Sequence, residues 1–528
     1  MINFLRQPNG LVIASAIVSF GFLGSRILGV IRTSAIADTF GMSPELDAYW
    51  VAFRIPDLIF QVLAGATLGS AFIPVFTRLT RRESDEKAWD LAGNIVSTVL
   101  IITIILCLLM LLIAPWIVPL FSPGLGEDIG REKELTDKAI YLTRIMLLSP
   151  LLLAVSGMIT GILNARQQFF LPALAPMFYN LGIIFGALVL ARHWGIEGLT
   201  LGVLIGSALH LVIQIPGIIH TKIWSRFRIN FRDKAATEVR RLMAPRVIGL
   251  IAGQLNFVVT TTFFASKVGS SAISSMTYAW LIAGLPVALF GMALSTAAFP
   301  RMAEQAAEKN AVELSKTISR VLRTMMFLTI PAALGLAFLR DPATAVILER
   351  GAFTSGDTAL TAAALGFLCI GIVPQAGIEI HSRAFYVFGN TKTPVLLTVL
   401  ALGINILLSA LLWDRMGING LALSLAISSW IEWIILYTLY ARKEGLLEET
   451  RDDLLNLAKF AICGSFMALA LGIVLPFIKE GSTAITWLSL IIGIAAGAII
   501  YLGFARIFKL NEERIVRKQL KAFIQRFR

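Results

Sequence analysis

Between Leu91 and Phe121 no residue is charged and most are large and apolar: LAGNIVSTVLIITIILCLLMLLIAPWIVPLF. About 20 such residues in a row cross the hydrocarbon core of a bilayer, and this chain repeats the pattern many times. Of its 528 residues 57% are hydrophobic and 15% charged, with a mean hydropathy of +0.78. A soluble protein carries about 25% charged residues. The chain is therefore read as an all-α polytopic membrane protein, since lipid offers no water to open backbone groups and helices satisfy their own. The apolar runs are continuous rather than alternating, which argues against an outer-membrane barrel.

Fourteen spans are expected, near residues 11–37, 45–77, 91–121, 138–163, 172–192, 197–219, 240–265, 272–300, 317–339, 358–386, 394–413, 418–440, 455–478 and 484–507. Loop charges test the count. Segments 78–90, 220–241 and 441–459 are rich in Lys and Arg and fall on one side of the membrane, together with the tail RIFKLNEERIVRKQLKAFIQRFR. Loops on the other side, such as GMSPELD and SPGLGEDIGREKELTDK, are acidic or weakly charged. The positive-inside rule then puts both termini in the cytoplasm, and thirteen spans would put the basic tail outside. The net charge of +13 is absorbed by these loops and calls for no nucleic-acid partner. In the tail, Val516, Leu520, Phe523 and Phe527 recur at helical spacing among basic residues, the pattern of an amphipathic helix on the inner membrane surface, or of a solvated end. No cleavable signal peptide is evident in the first apolar run. Cys107, Cys369 and Cys463 all lie in apolar runs and read as small buried side chains.

The chain repeats itself. GIEGLTLGVLIGS from Gly195 matches GINGLALSLAISS from Gly417, and Pro172 matches Pro394, both 222 residues apart. GATLGSAFIP and GMALSTAAFP end at Pro74 and Pro300, 226 apart, and Gly124 pairs with Gly351 at 227. Four features in near register indicate a duplicated six-span unit. An even span number makes the repeats parallel, with substrate sites expected between the halves near the midplane. The expected organisation is an N-terminal lobe at 1–220, a basic loop at 221–239, a C-terminal lobe at 240–445, two further helices at 446–508 and a basic tail at 509–528.

Charge inside the spans is the functional clue. Arg26 and Arg32 lie in the first span; Asp47, Arg54 and Asp57 lie in the second. A charge at the bilayer centre costs about 2.5–3.5 kcal/mol or more, so it pairs or faces a wet cavity. Gly21, Ser25 and Gly29 make a small-residue face for close helix approach. At about 100° per residue Arg32 falls on that face, while Arg26 is about 120° from Arg32 and about 9 Å along the axis. A straight helix does not aim both at one point; long side chains and a bend at the glycines can. Arginine's planar fork holds phosphate with two hydrogen bonds at any relevant pH, so an anionic head group such as a diphosphate is expected. Asp47 and Asp57 read as structural pairing or helix-end groups, or as direct participants.

Arg246, Gln254, Asn256, Glu379, His381, Arg383 and Glu432 are further polar groups in or near spans. Each reads first as an interhelical hydrogen bond or a snorkelling chain. No histidine has a metal-ligand partner at helical spacing, and no metal site or cofactor is expected. There is no GxxxxGK[ST] phosphate loop, HExxH or nucleophile elbow, which argues against an ATP-driven pump and a soluble-type hydrolase.

SRILGVIR, DAYWVAFRIP and GSAFIPVF resemble the start of the MurJ/MviN family of lipid II flippases, in the multidrug/oligosaccharidyl-lipid/polysaccharide exporter superfamily. The resemblance continues through GILNARQQFFLPALAP (161–176), QIP (214–216), ERGAF (349–353) and RAFYVFGNTKTPV (383–395). It implies a bacterial inner-membrane protein of fourteen helices in two lobes, not an enzyme. Such a protein passes lipid-linked peptidoglycan precursor to the outer leaflet by alternating access, driven by membrane potential or a coupled monovalent cation. It also implies a groove for the polyprenyl tail at the last two helices, a bilayer and a lipid-linked anionic substrate as partners, contacts with cell-wall synthesis proteins, and a monomer. The family's two first-helix arginines match Arg26 and Arg32, and its aspartate at the start of the second helix matches Asp47.

The departures are specific. Where many members carry Arg-Arg followed by Ala-Glu-Gly, this chain has Phe60, Gln61 and Ala64-Gly65-Ala66. Where many carry an eighth-helix arginine, it has Trp280 and Leu281. Arg54 and Arg246 are the residues available to replace that charge. Asn405 and Ser409 offer oxygen ligands for a coupling cation, or polar packing. The alternatives are an exporter of another polyprenyl-diphosphate-linked glycan or of a small anion, a membrane enzyme on a lipid diphosphate, and a scaffold that has lost its site. The enzyme would need converging carboxylates or a metal, and the aspartates here are scattered.

Overall fold

A computed structural model describes residues 10–65, 72–219, 221, 226–230, 232–308, 310–443, 447–474, 483–514 and 517. Among them the regular structure is helical, with no strand. The amphipathic positions expected in the tail, Val516, Leu520, Phe523 and Phe527, lie outside the described residues, as does the side chain of Arg246.

The helices in chain order are α1 (Gly10–Phe40), α2 (Pro44–Phe60), α3 (Ile73–Arg82), α4 (Asp85–Phe121), α5 (Glu132–Met146), α6 (Leu148–Ala165), α7 (Phe170–Phe185), α8 (Ala191–Val212), α9 (Ile215–Ile218) and α10 (Lys234–Val258). They continue with α11 (Ala265–Val268), α12 (Ala272–Pro286), α13 (Ala293–Ala307), α14 (Ala311–Phe338), α15 (Arg340–Leu348), α16 (Ser355–Cys369), α17 (Ile372–Val387), α18 (Lys392–Lys443), α19 (Leu447–Val474) and α20 (Thr483–Ile507). The chain divides into two compact units: unit 1 is Met1–Ser274 with Arg350–Phe353, and unit 2 is Ser275–Glu349 with Thr354–Arg528. α10, which the duplication makes the first helix of the second half, is part of unit 1.

Ten described helices are long and apolar enough to cross a membrane, and the bent pair α16–α17 makes eleven. Two of the ten, Phe170–Ile218 and Lys392–Arg442, run 49 and 51 residues. At about 1.5 Å per residue each is more than twice the roughly 30 Å hydrocarbon core. Each breaks at a glycine, Gly195 (φ 55, ψ −134) and Gly417 (φ 57, ψ −138), and so holds two spans. Counting those breaks gives thirteen. The fourteenth is α2 with its continuation, whose charges keep it from passing an apolar test.

The two glycines lie at equivalent positions of the repeated motif and adopt nearly the same backbone angles, which only glycine reaches without strain. Other irregularities keep the same offsets. A π-helical turn starts at Gln61 and another at Val287, 226 apart. Gln167 (φ 61) and Gly389 (φ 71), 222 apart, both turn the chain before the paired prolines. The duplication is thus carried in backbone geometry as well as in residue identity.

In unit 1, small residues set the packing. Gly21 of α1 lies against α7, where an added Cβ would stand 2.5 Å from the Ala173 Cβ. Gly186 meets Gly202 of α8, where a Cβ on Gly202 would reach the Gly186 Cα at 2.6 Å. Phe76 and Trp89 pack edge-on at 5.8 Å in a cluster shared by α3, α4, α6 and α10. The basic stretch before α10 is strapped down: Asn94 exchanges hydrogen bonds with the Asn230 backbone at 2.9 and 3.1 Å, and Arg226 and Arg228 both pair with Asp90 at 2.8 Å. Arg78 holds Glu238 with two bonds of 2.9 and 2.5 Å, which keeps the Glu238 carboxyl below its usual range.

In unit 2, α14 packs on α19, and Phe327 meets Phe460 at 5.6 Å and Tyr501 at 5.2 Å. Between α12, α14, α15, α19 and α20 lies a cavity of about 570 Å³, lined by apolar side chains that include Leu285, Pro331, Leu336, Met467, Leu471 and Ile494. All lie in unit 2.

Candidate functional site

The first-span arginines separate. α1 is a single helix, and its residues Leu23, Ile27 and Ile31 form an exposed apolar face. Arg26 is exposed too, its guanidinium 5.2 Å from the ring of Phe22 one turn before it. Arg32 turns inward and is half-buried. Its Nη1 donates to Asn180 Oδ1 of α7 at 3.1 Å, and its Nε is buried with no hydrogen-bond partner. Asn180 is fixed by its own amide, which donates to Ser25 O at 3.2 Å and Pro176 O at 3.0 Å. The helix contact made by Gly21 brings Asn180 within reach of Arg32.

Tyr49, Tyr179 and Asp57 all lie near enough to Arg32 to feel its charge. Asp57 accepts from Gln61 Nε2 at 2.7 Å, and Gln61 Oε1 accepts from Gln254 Nε2 at 2.5 Å. Gln61, at a position where the resemblance implies arginine, is thus committed to a hydrogen-bonded chain that runs from Asp57 to Gln254 of α10.

Arg54 is buried, 6% exposed. Its Nε donates to Thr262 Oγ1 at 3.0 Å and its guanidinium stands 4.4 Å from the Phe257 ring. It borders a cavity of about 260 Å³ that is otherwise apolar, with Leu58, Val62, Leu106, Phe121 and Ile251 among its walls. Arg54 and Asp57 share one helix, and each feels the other's charge. Arg32, Arg54 and Asp57 together carry two positive charges and one negative.

Asp47 has a different place. It is 1% exposed and receives Ser271 N at 2.7 Å, Ser274 N at 2.8 Å and Ser274 Oγ at 2.5 Å. These backbone donors belong to the start of α12, where the first N–H groups have no partner within the helix. The carboxylate caps that helix from across the sequence, and the favourable field of a helix N-terminus adds to the bonds. Ser271 holds the left-handed backbone (φ 72) that presents its N–H.

Asn405 and Ser409 are fully buried in unit 2, with Ser409 Oγ 3.4 Å from Asn405 Oδ1. No group of three or more His, Cys, Asp or Glu side chains that could hold a metal occurs among the described residues. His381 is buried among the rings of Trp433, Tyr437 and Tyr440, and its Nδ1 meets Gly377 O at 3.0 Å and Trp433 Nε1 at 3.2 Å.

The structure therefore gathers Arg32, Asn180, Asp57, Gln61 and Gln254 with Tyr49 and Tyr179, and leaves Arg26 apart. Asn180 and the two tyrosines are participants that the sequence reading did not single out. The available signal was an amide in the otherwise apolar run APMFYNLGIIF, where an unpaired amide is costly. Chemically, Arg32 has capacity left. A guanidinium has five N–H donors, and the hydrogen bond recorded for Arg32 among the described residues uses only one. Such a fork suits phosphate oxygens.

Comparison with known proteins bears on the family and the fold. The family model described as lipid II flippase MurJ matches residues 36–496. A probable lipid II flippase MurJ of Rhizobium tropici is 29% identical over 88% of each chain. The lipid II flippase MurJ of Burkholderia cenocepacia is 29% identical over 80% of this chain and 82% of its own. A solved structure of lipid II flippase MurJ in an inward closed conformation is 27% identical, with a TM-score of 0.77 over 93% of this chain and 98% of that one. An inward-facing multidrug resistance transporter of the MATE family and MOP superfamily shares the fold at 16% identity and a TM-score of 0.66, covering 80% of this chain and 96% of that one. With its multi-pass helical architecture and a family match across most of its length, the chain belongs to the MurJ family of lipid II flippases.

Proposed function

We propose that this chain carries lipid II, the lipid-linked peptidoglycan precursor, from the inner to the outer leaflet of the bacterial cytoplasmic membrane by alternating access. The family match over residues 36–496 carries the reading. Arg32 supports it at the residue level, as an inward guanidinium with donors to spare beside the amide of Asn180. In the proposed cycle Arg32 takes the diphosphate, and Asn180 holds the guanidinium in orientation. Arg54 contributes positive field from a buried position. The polyprenyl chain, which has no polar group to satisfy, stays in lipid or in the apolar cavity of unit 2. Asp47 acts as a cap that fixes the start of α12 rather than as a ligand. Both termini face the cytoplasm, and the chain works as a monomer.

A second reading, transport of another polyprenyl-diphosphate-linked glycan, is favoured by one observation. Gln61 stands where the family resemblance implies an arginine, and its amide is spent on Asp57 and Gln254. Expression in cells depleted of their own lipid II flippase separates the two. Restored growth supports the first reading. Failure by a chain that is abundant and inserted favours the second.

A further inference from the structure

Glu432 lies in the second half of α18, within the long apolar stretch Lys392–Arg442, and is 8% exposed. Its one hydrogen bond among the described residues joins Oε1 to Thr398 Oγ1 at 2.7 Å, across the hairpin that turns at Gly417. The same Thr398 hydroxyl stands 3.1 Å from Pro394 O. A hydroxyl has one hydrogen and two acceptors to choose from. If Glu432 is ionised, that hydrogen goes to Glu432, and the charge has a single neutral donor in an apolar span. If Glu432 is protonated, its own O–H donates to Thr398 Oγ1 and the threonine hydrogen goes to Pro394 O. Both short contacts are then satisfied and no charge is left in the membrane, where an uncompensated carboxylate is expensive.

Among the described residues, no ion pair offsets that charge. On α17, Glu379 pairs with Arg383 at 3.6 Å, and His381 is engaged by Gly377 O and Trp433 Nε1. Asp357 of α16 closes the capping box of its own helix with Thr354, and Lys459 of α19 is exposed. Asp414, Arg415, Tyr437 and Tyr440 on α18 itself make no recorded bond or ion pair with Glu432. Two oxygens are also too few for a hard metal cation, which takes about six.

We propose that Glu432 and Thr398 form a proton-binding site within the membrane, loaded at neutral pH. Loading converts the carboxylate to the acid, with the added proton on the oxygen facing Thr398. Release returns the proton to water and turns the threonine hydroxyl from Pro394 O back to Glu432. That this exchange drives a step of transport rests on the function proposed above.

Infrared difference spectroscopy tests the site on the full chain in phospholipid vesicles. The expected result is a protonated-carboxyl band at neutral pH that is lost in Glu432→Gln, shifted in Thr398→Val and unchanged in the control Glu379→Gln. A band identical in wild type and Glu432→Gln overturns the proposal. Translocation of lipid II in the same vesicles under an imposed pH gradient tests the coupling. Loss of the pH dependence in Glu432→Gln supports it, and an unchanged dependence overturns it. The band is read without transport, so a wild-type chain that moves no lipid II at any pH counts against the function and leaves the site standing.

Discussion

At the scale of single residues, two charges identical in type and six positions apart have different surroundings. Arg32 reaches Asn180, whereas Arg26 lies beside Phe22 on the exposed face. Helical geometry made the divergence legible in the sequence, since about 120° separates the two side chains. The partner was not legible, because Asn180 lies 148 residues away and only the α1–α7 contact brings it close. Arg32→Ala is expected to abolish transport at normal abundance, with a clearly smaller loss for Arg26→Ala; equal losses would remove the distinction. Asp47 shows the opposite case. Its match to a family motif drew attention to it, but its three donors lie on Ser271 and Ser274, more than 220 positions away. Asp47→Ala strands buried donors and is expected to destabilise the protein by on the order of 2 kcal/mol. Thermal unfolding in detergent reads this, and a melting temperature equal to wild type would contradict the capping role.

At the scale of elements, hydropathy located the spans well wherever they are apolar. It gave α2 least support, because Asp47, Arg54 and Asp57 dilute the signal where the site lies. The repeat was legible from four matched features, but its physical content is the pair of glycine breaks. Gly195→Ala and Gly417→Ala should each cost about 1–3 kcal/mol from backbone strain, with similar losses at the two sites. At Gly195 the nearest atom to an added Cβ is 3.9 Å away, so crowding adds nothing there. Gly202→Ala instead acts by contact and should cost about 1–3 kcal/mol through overpacking against Gly186. Folded yield in detergent distinguishes these from neutral substitutions.

The first turns of α10 are a third element, and the ion pair that ties them to α3 answers to pH. Arg78 depresses the Glu238 carboxyl, so the pair adds stability above the unfolded carboxylate range and loses it as pH falls through the folded value. Both side chains are over 40% exposed, so salt screens the effect. Hydrogen-exchange protection at the start of α10, corrected for the intrinsic rate at each pH, should fall on acidification in wild type but not in Glu238→Gln. Equal losses of protection would place the pH sensitivity elsewhere.

At the scale of the whole molecule, the chain couples a few intramembrane charges to a largely apolar body. Unit 2 contains a cavity of the right chemistry for an aliphatic tail, and Gly335 on its wall has open space, with Met467 Cε 4.0 Å from an added Cβ. Gly335→Phe should fill part of that cavity and slow transport without reducing abundance. The family was legible from short motifs, while Phe60, Gln61 and Leu281, standing where the resemblance implies arginines, left the substrate open. The most direct measurement follows lipid II itself, in cells depleted of their own flippase, by its accessibility to a cleaving enzyme added outside. The account predicts that the wild-type chain restores external accessibility and that Arg32→Ala, at equal abundance, does not. Lipid II that stays inaccessible with the wild-type chain inserted, or that is equally accessible with Arg32→Ala, would contradict it.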